Sequence, residues 1–159
     1  MYHPRQMMAR PATLADLESV ASWITSAREC KLWAGRRVQF PIDCKALPAA
    51  IQFSDAVALS LVDGDCLVAF GQLIVKESRR GHLARLIVSP ALRGKGFGEA
   101  LVRALFERAD AEGCGQISLN VDPSNMPATR LYAKLGFQDA ARPADEPESF
   151  GARCMERRP

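Results

Sequence analysis

The chain has 159 residues, a mass of 17.4 kDa and a formal charge of +3, a size that suits one domain. With 48% hydrophobic and 25% charged residues it can bury a core without metals or disulfides, which excludes wholesale disorder. The 21 Lys and Arg only slightly outnumber the 18 Asp and Glu and are interspersed with them, so a dedicated nucleic-acid surface is not expected. A local site for a small polyanionic ligand is compatible with this balance. The five cysteines (Cys30, Cys44, Cys66, Cys114, Cys154) are odd in number and form no CxxC pair, and His3 lies far from His82. Neither a disulfide framework nor a metal site is expected. The start, MYHPRQMMARP, has no apolar signal region, and the longest apolar stretches break well short of the ~18 residues that span a membrane. These features predict a reduced, cytoplasmic protein that needs neither membrane nor nucleic acid.

Along the chain, residues 1–7 read as a short extension and 8–159 as one domain. Met7 to Pro11 suits a first strand. Thr13 is an N-cap candidate with Asp16 in the first turn, and Leu14, Leu17, Val20, Ala21 and Ile24 recur at helical spacing. From Cys30 to Pro41 the periodicity disappears, which predicts a loop carrying Trp33 and Phe40; a short helix is expected within Cys44–Gln52. AVALSLV (Ala56–Val62) and CLVAFGQLIV (Cys66–Val75) flank Asp63-Gly64-Asp65 and read as a hairpin. Gly71 inside the second run marks a bulge or a close backbone approach. A charged turn, with Arg79, Arg80 and then Arg85 read as a solvated hairpin end rather than as contacts to a nucleotide's phosphates, leads into the strand His82–Pro90.

A helix with Leu101, Val102, Leu105, Phe106 and Ala109 on one face follows, stopped at Glu112-Gly113-Cys114-Gly115. Gln116–Val121 is a strand, Ser124 or Asn125 caps a helix ending at Gly136, and a last strand is expected within Phe150–Arg157 after an acidic, Pro-rich loop at Arg142–Glu148. Hairpins followed by strand–helix units predict an α/β fold with a central mixed sheet.

The sharpest signal is Ser89-Pro90-Ala91-Leu92-Arg93-Gly94-Lys95-Gly96-Phe97-Gly98, between a strand and a helix. Unpaired N–H groups and the positive dipole end of a helix attract phosphate, and glycines let phosphate oxygens approach the backbone. Arg93 and Lys95 add charge there. The dinucleotide pattern GxGxxG fails because Glu99 stands three after Gly96; the P-loop pattern fails because Gly96 follows Lys95.

What is left, Arg-x-x-Gly-x-Gly after a strand ending Val-Ser-Pro, resembles the acetyl-CoA signature of the GNAT superfamily of N-acetyltransferases. Asn125-Met126-Pro127-Ala128-Thr129-Arg130-Leu131-Tyr132-Ala133-Lys134-Leu135-Gly136-Phe137 is similar to that family's second signature, and Arg10-Pro11-Ala12-Thr13 with Asp16-Leu17 to its usual opening. The resemblance covers nearly the whole chain in order. It implies a single-domain GNAT-like fold, largely antiparallel with helices on both faces, that uses acetyl-CoA as co-substrate, with no metal, and transfers acetyl directly to the primary amine of an acceptor. It further implies that the amides of Arg93, Gly94, Lys95, Gly96, Phe97 and Gly98 cradle the pyrophosphate. Leu86, Ile87 and Val88 would bond the pantetheine and the acetyl carbonyl through their backbone, beside a splay in the sheet.

By the same resemblance Asn125 serves pantetheine, and N-capping is a compatible role for it. Tyr132 matches the tyrosine that protonates the departing thiolate, with core packing as its alternative. Many relatives carry a Glu base on the strand that here reads His82-Leu83-Ala84-Arg85-Leu86, where no carboxylate stands. His82 is the titratable candidate in it; a structural histidine, or a water chain, is the alternative. Trp33 and Phe40 either border the acceptor or pack in the core. A coenzyme A-binding sensor and a transferase of longer acyl groups are the rival readings. The acceptor, and whether the chain is a monomer or a homodimer, are left open.

Overall fold

In the computed structural model, residues 7–142 and 152–158 are described. The expected extension (but for Met7), most of the acidic Pro-rich loop and the start of the last strand lie outside those residues.

Strand β1 (Met7–Pro11) pairs antiparallel with β2 (Val57–Asp63), which turns at Gly64 (φ +60°) into β3 (Cys66–Lys76). One tight turn, with positive φ at both Ser78 and Arg79, leads to β4 (Arg80–Val88), antiparallel to β3. β5 (Gln116–Val121) lies parallel to β4, and β7 (Arg153–Arg157) closes against β5 with the two-residue β6 (Gln138–Asp139) at the edge. The seven-stranded order is β1-β2-β3-β4-β5-β7-β6. β4–β5 is its parallel pair, because the 15-residue helix α4 (Phe97–Ala111) carries the chain back across the sheet.

Each face of the sheet has its own core. Leu101, Val102, Leu105 and Ala109 of α4 pack on Leu73, Leu83, Ile117 and Leu119, together with Tyr132 of α5 (Met126–Lys134) and Phe137. On the other face α1 (Leu14–Ser22), α2 (Ala27–Ala34) and α3 (Leu47–Ala50) bury Leu17, Val20, Trp33, Leu47 and Ile51 against Phe70. Each such fully buried aliphatic or aromatic side chain contributes roughly 1.5–3 kcal/mol relative to exposure. The expectation of a mixed, largely antiparallel sheet with helices on both faces is met.

Local chemistry explains most boundaries. Thr13 caps α1 in a reciprocal box: Asp16 N–H donates to Thr13 Oγ1 (3.2 Å) and Thr13 N–H to Asp16 Oδ2 (2.9 Å). Gly136, at φ +95°, ends α5. One expectation fails. Cys30–Pro41 is not a continuous loop: its first part belongs to α2, capped by Ser26, whose Oγ accepts from Glu29 N–H at 3.1 Å. A helix of eight residues shows too few turns for periodicity to register, whereas its Ser-x-x-Glu start was readable.

Candidate active site

The parallel ladder between β4 and β5 runs from Arg80↔Gln116 to Leu83↔Leu119 and stops. From Ala84 onward β4 keeps β3 alone as a hydrogen-bonded neighbour, while Asn120 and Val121 of β5 pair with β7. The sheet therefore opens between the second half of β4 and the end of β5. Leu86, Ile87 and Val88, all half-buried, line that opening.

The cause of the parting sits in the β3–β4 register. Between the pairs Gln72↔Ala84 and Phe70↔Ile87, β3 has one residue, Gly71, and β4 has two, Arg85 and Leu86. The extra residue is a bulge, and Arg85 carries it at φ +53°. A Cβ on Gly71 would lie 2.6 Å from Leu86 Cδ2, so the glycine is what lets Leu86 sit there.

At the mouth of the opening lies the glycine turn. Gly94 (φ +77°) and Gly96 (φ +88°) both take left-handed conformations, and a Cβ at either would meet no protein atom within 4 Å. The space above them is free to receive a ligand. Gly96 is the N-cap of α4 and offers no side chain to cap it, so the first-turn amides are not covered by one. Arg93 and Lys95 are exposed at the same corner, and Arg93 Nε donates to the Val88 carbonyl at 3.2 Å, tying the turn to the strand end. Phe97 points its ring into the core, which leaves only its backbone for a ligand. Gly98 faces Leu131 of α5 and Val88 at ordinary contact distance. Glu99 in the first turn would repel an anion, but Lys134 Nζ sits 2.7 Å from its carboxylate and holds its pKa down.

On the second signature, Asn125 Oδ1 caps α5 by accepting from Ala128 N–H at 3.3 Å. Among the described residues its amide nitrogen has no hydrogen-bond partner. Tyr132 is 9% exposed, with its ring edge-on to Phe137 at 5.8 Å. Burial pushes the phenol up to about 12, so it keeps its proton at neutral pH. The burial that packs the ring also makes the phenol a weaker acid than an exposed tyrosine.

Residues 117, 119 and 121 of β5 and Leu83 of β4 face α4, so His82, Ser118 and Asn120 share the opposite face. His82 is buried, and its Nδ1 lies 2.9 Å from Ser118 Oγ, one pair before the ladder ends. Asn120, just past the ladder, has a buried Oδ1 that accepts no hydrogen bond among the described residues. Sequence reasoning missed Ser118 and Asn120, although the alternation in Gln-Ile-Ser-Leu-Asn-Val would have placed both on one face. It also misread Arg85, which is 8% exposed and no part of a solvated hairpin end.

Trp33 is a core residue at 9% exposure, and its indole N–H donates to the Arg85 carbonyl at 3.0 Å; Phe40 is 40% exposed. All five cysteines are free thiols. Among the described residues no group of three or more His, Cys, Asp or Glu could hold a metal ion, and no helix is long and apolar enough to cross a membrane.

A sheet parted beside a bulged central strand, with a glycine turn at the head of a helix, defines the acetyltransferase class of fold. The Acetyltransferase (GNAT) family matches residues 20–137, and the chain belongs to that family. It is 35% identical over 83 residues to glucosamine 6-phosphate N-acetyltransferase 1 of Oryza sativa subsp. japonica, covering 52% of this chain and 48% of that one. It is 42% identical over 100 residues to the mycothiol acetyltransferase of Kineococcus radiotolerans, covering 62% and 32%. The chain thus spans half or less of the length of these two relatives. Among solved structures, the ribosomal-protein-S18-alanine N-acetyltransferase of Escherichia coli superposes with a TM-score of 0.71 at 24% identity over 96% of this chain and 94% of that one. The PaiA N-acetyltransferase of Thermoplasma acidophilum, in complex with coenzyme A, gives 0.72 at 19% over 96% and 99%.

Proposed function

We propose that the protein is an acetyl-CoA-dependent N-acetyltransferase that passes the acetyl group directly to a primary amine. The observation that carries this reading is the parting of β4 from β5 beyond Leu83 and Leu119, which leads to the open glycine turn at Gly94–Gly96. The two features match the two ends of one ligand. A diphosphate fits uncapped amides at a helix start, with Arg93 and Lys95 beside it, and an extended amide-bearing arm fits a strand edge with no neighbour.

The chemistry follows from position. The amine nitrogen attacks the thioester carbonyl carbon, whose oxygen becomes negative; an N–H from the unpaired edge of β4 near Val88 stabilises it. The C–S bond then breaks, and Tyr132 delivers its phenolic proton to the departing sulfur. The proton lost by the amine is taken by His82 or by water reaching it, on the face that also holds Ser118 and Asn120. Free thiols throughout favour a reducing, cytoplasmic setting. The relatives' names differ in acceptor, so they do not carry one over to this chain.

The test is release of free thiol from acetyl-CoA over a mixed panel of small amines, amino acids and peptide N-termini, paired with calorimetric binding of coenzyme A. Turnover with at least one amine is expected. Binding without turnover across the panel would make the protein a coenzyme A sensor, and no binding would overturn the reading.

A further inference from the structure

At the end of the sheet opposite the glycine turn, an open cavity of about 650 Å³ is lined by Arg79, Arg80, Arg158, Gln116, Gly115 and Glu77, among others. That volume is in the range of small-molecule sites. Its wall begins at Arg80, the first residue of β4, whereas the glycine turn is tied to Val88, the last. The two places lie about 26 Å apart at ~3.3 Å per strand residue. The cavity is therefore no part of the site assigned to acetyl-CoA. Its walls come from three separate segments: the β3–β4 turn, the start of β5 and the residue that follows β7.

Three of the four charged side chains in this wall are arginines, and each is placed by the fold. Arg79 stands at φ +54° directly after Ser78 at φ +63°, left-handed positions that Gly, Asn or Asp fill more readily. Its carbonyl accepts from Gly115 N–H at 3.1 Å and its Nη1 donates to the Glu112 carbonyl at 3.1 Å, which pins the turn to the α4–β5 connection. Among the described residues its guanidinium forms no ion pair. Arg80, half-buried, forms the first rung of the parallel ladder with Gln116. Arg158 is exposed, with one carboxylate oxygen of Glu156 at 3.4 Å; the other oxygen of Glu156 takes the Gln116 amide. A single surface pair of this kind is weak.

Turn chemistry does not call for Arg79, and strand pairing uses only the backbone of Arg80. Like charges brought to one space repel each other, and a multiply charged anion placed among them removes that cost. We propose that this cavity binds a small polyanion, a molecule carrying two or more adjacent phosphates or carboxylates, through the forked N–H groups of Arg79, Arg80 and Arg158. A polyanion there ties the β3–β4 turn to the neighbouring ends of β5 and β7, so its binding stabilises the folded chain by mass action. This site goes beyond the acetyltransferase reading and does not depend on it.

The experiment uses the full chain saturated with coenzyme A, so that the glycine turn is filled. Pyrophosphate and citrate are titrated separately at constant ionic strength, and Tm is followed by calorimetry. At least one of the two should raise Tm saturably; which one acts says whether linked phosphates or linked carboxylates are recognised. Arg158→Gln, at an exposed position, should raise the half-saturating concentration at least fivefold, and Arg158→Lys, which keeps the charge, should stay within threefold of the wild type. Lys45→Gln removes the same charge from an exposed position before α3 and should leave the titration unchanged. No saturable rise in the wild type, an unaltered titration in Arg158→Gln, or an equal weakening in Lys45→Gln overturns the site. If coenzyme A does not bind at all, the acetyltransferase reading fails, and the same titration without it still decides whether the polyanion site exists.

Discussion

The indole N–H of Trp33 donates to the carbonyl of Arg85 at 3.0 Å, joining α2 to the single β4 residue with a positive φ. This bond spans 52 positions of sequence and fixes the bulge from which β4 departs from its neighbour. Trp33→Phe keeps most of the ring's packing and removes the donor. Leaving a buried carbonyl without its partner costs about 1–3 kcal/mol, and a chain of this size loses roughly 2–4 °C of Tm per kcal/mol. We expect that loss by calorimetry, together with an acceptor KM raised at least threefold and an acetyl-CoA KM unchanged. A wild-type Tm would show that the bond carries no energy.

Gly96→Val tests the cradle. No protein atom lies within 4 Å of the added Cβ, so the substitution acts through the backbone, which sits at φ +88°, and through the space the ligand needs. Acetyl-CoA should bind at least tenfold more weakly, about 1.4 kcal/mol, in a protein whose circular dichroism is unchanged. Unaltered calorimetric affinity would remove the turn from the binding site.

Gly71→Ala tests the bulge from the other strand. Its Cβ would stand 2.6 Å from Leu86 Cδ2, 3.2 Å from Leu105 and 3.3 Å from Leu101. Overpacking of this kind costs roughly 1–3 kcal/mol, and the displaced Leu86 lies on the edge assigned to the pantetheine. Stability and acetyl-CoA affinity should fall together; a stability loss with unchanged affinity would separate Leu86 from the ligand.

Tyr132→Phe retains the edge-on contact with Phe137 and removes the proton. The phenol is protonated at neutral pH, and burial, which pushes its pKa up to about 12, makes it the weaker acid, so its proton transfers only as negative charge builds on the sulfur. kcat should fall by roughly a hundredfold, the lower end for acid catalysis, with little change in Tm or acetyl-CoA affinity. Wild-type kcat with chemistry rate-limiting would leave Tyr132 a packing residue.

Acid stability should report Asp16. Burial alone would raise its pKa, but Arg10 Nη1 at 2.6 Å, Thr13 N–H and the Ser60 hydroxyl lower it from 3.8 to about 2. A carboxyl depressed in the folded state contributes stability that is present above its ordinary pKa and lost as pH falls toward the folded value. The loss, up to about 2 kcal/mol, should appear between about pH 5 and pH 2. Asp16→Asn should be less stable than wild type at pH 7 and show a smaller further loss on acidification, read from urea midpoints at each pH. Parallel curves for the two proteins would assign the acid transition elsewhere.

The features legible in the sequence are those whose physics closes within a few residues. Thr13 and Asp16 satisfy each other across one turn of backbone. Asp63-Gly64-Asp65 reverses the chain because Gly64 takes a positive φ. Gly94 and Gly96 mark a ligand cradle because φ and the missing Cβ are properties of the residues themselves. The same holds for Asn125 capping α5 and Gly136 ending it. What tertiary structure alone decided is whatever needs two distant segments. That Arg85 is buried with Gln72 and Ile51, that Trp33 reaches it, and that β4 leaves β5 after Leu83 all follow from one unmatched residue in the β3–β4 register. Residue type and spacing do not show how the partner strand counts, so Arg85 looked like one more surface charge until the bulge turned its side chain inward.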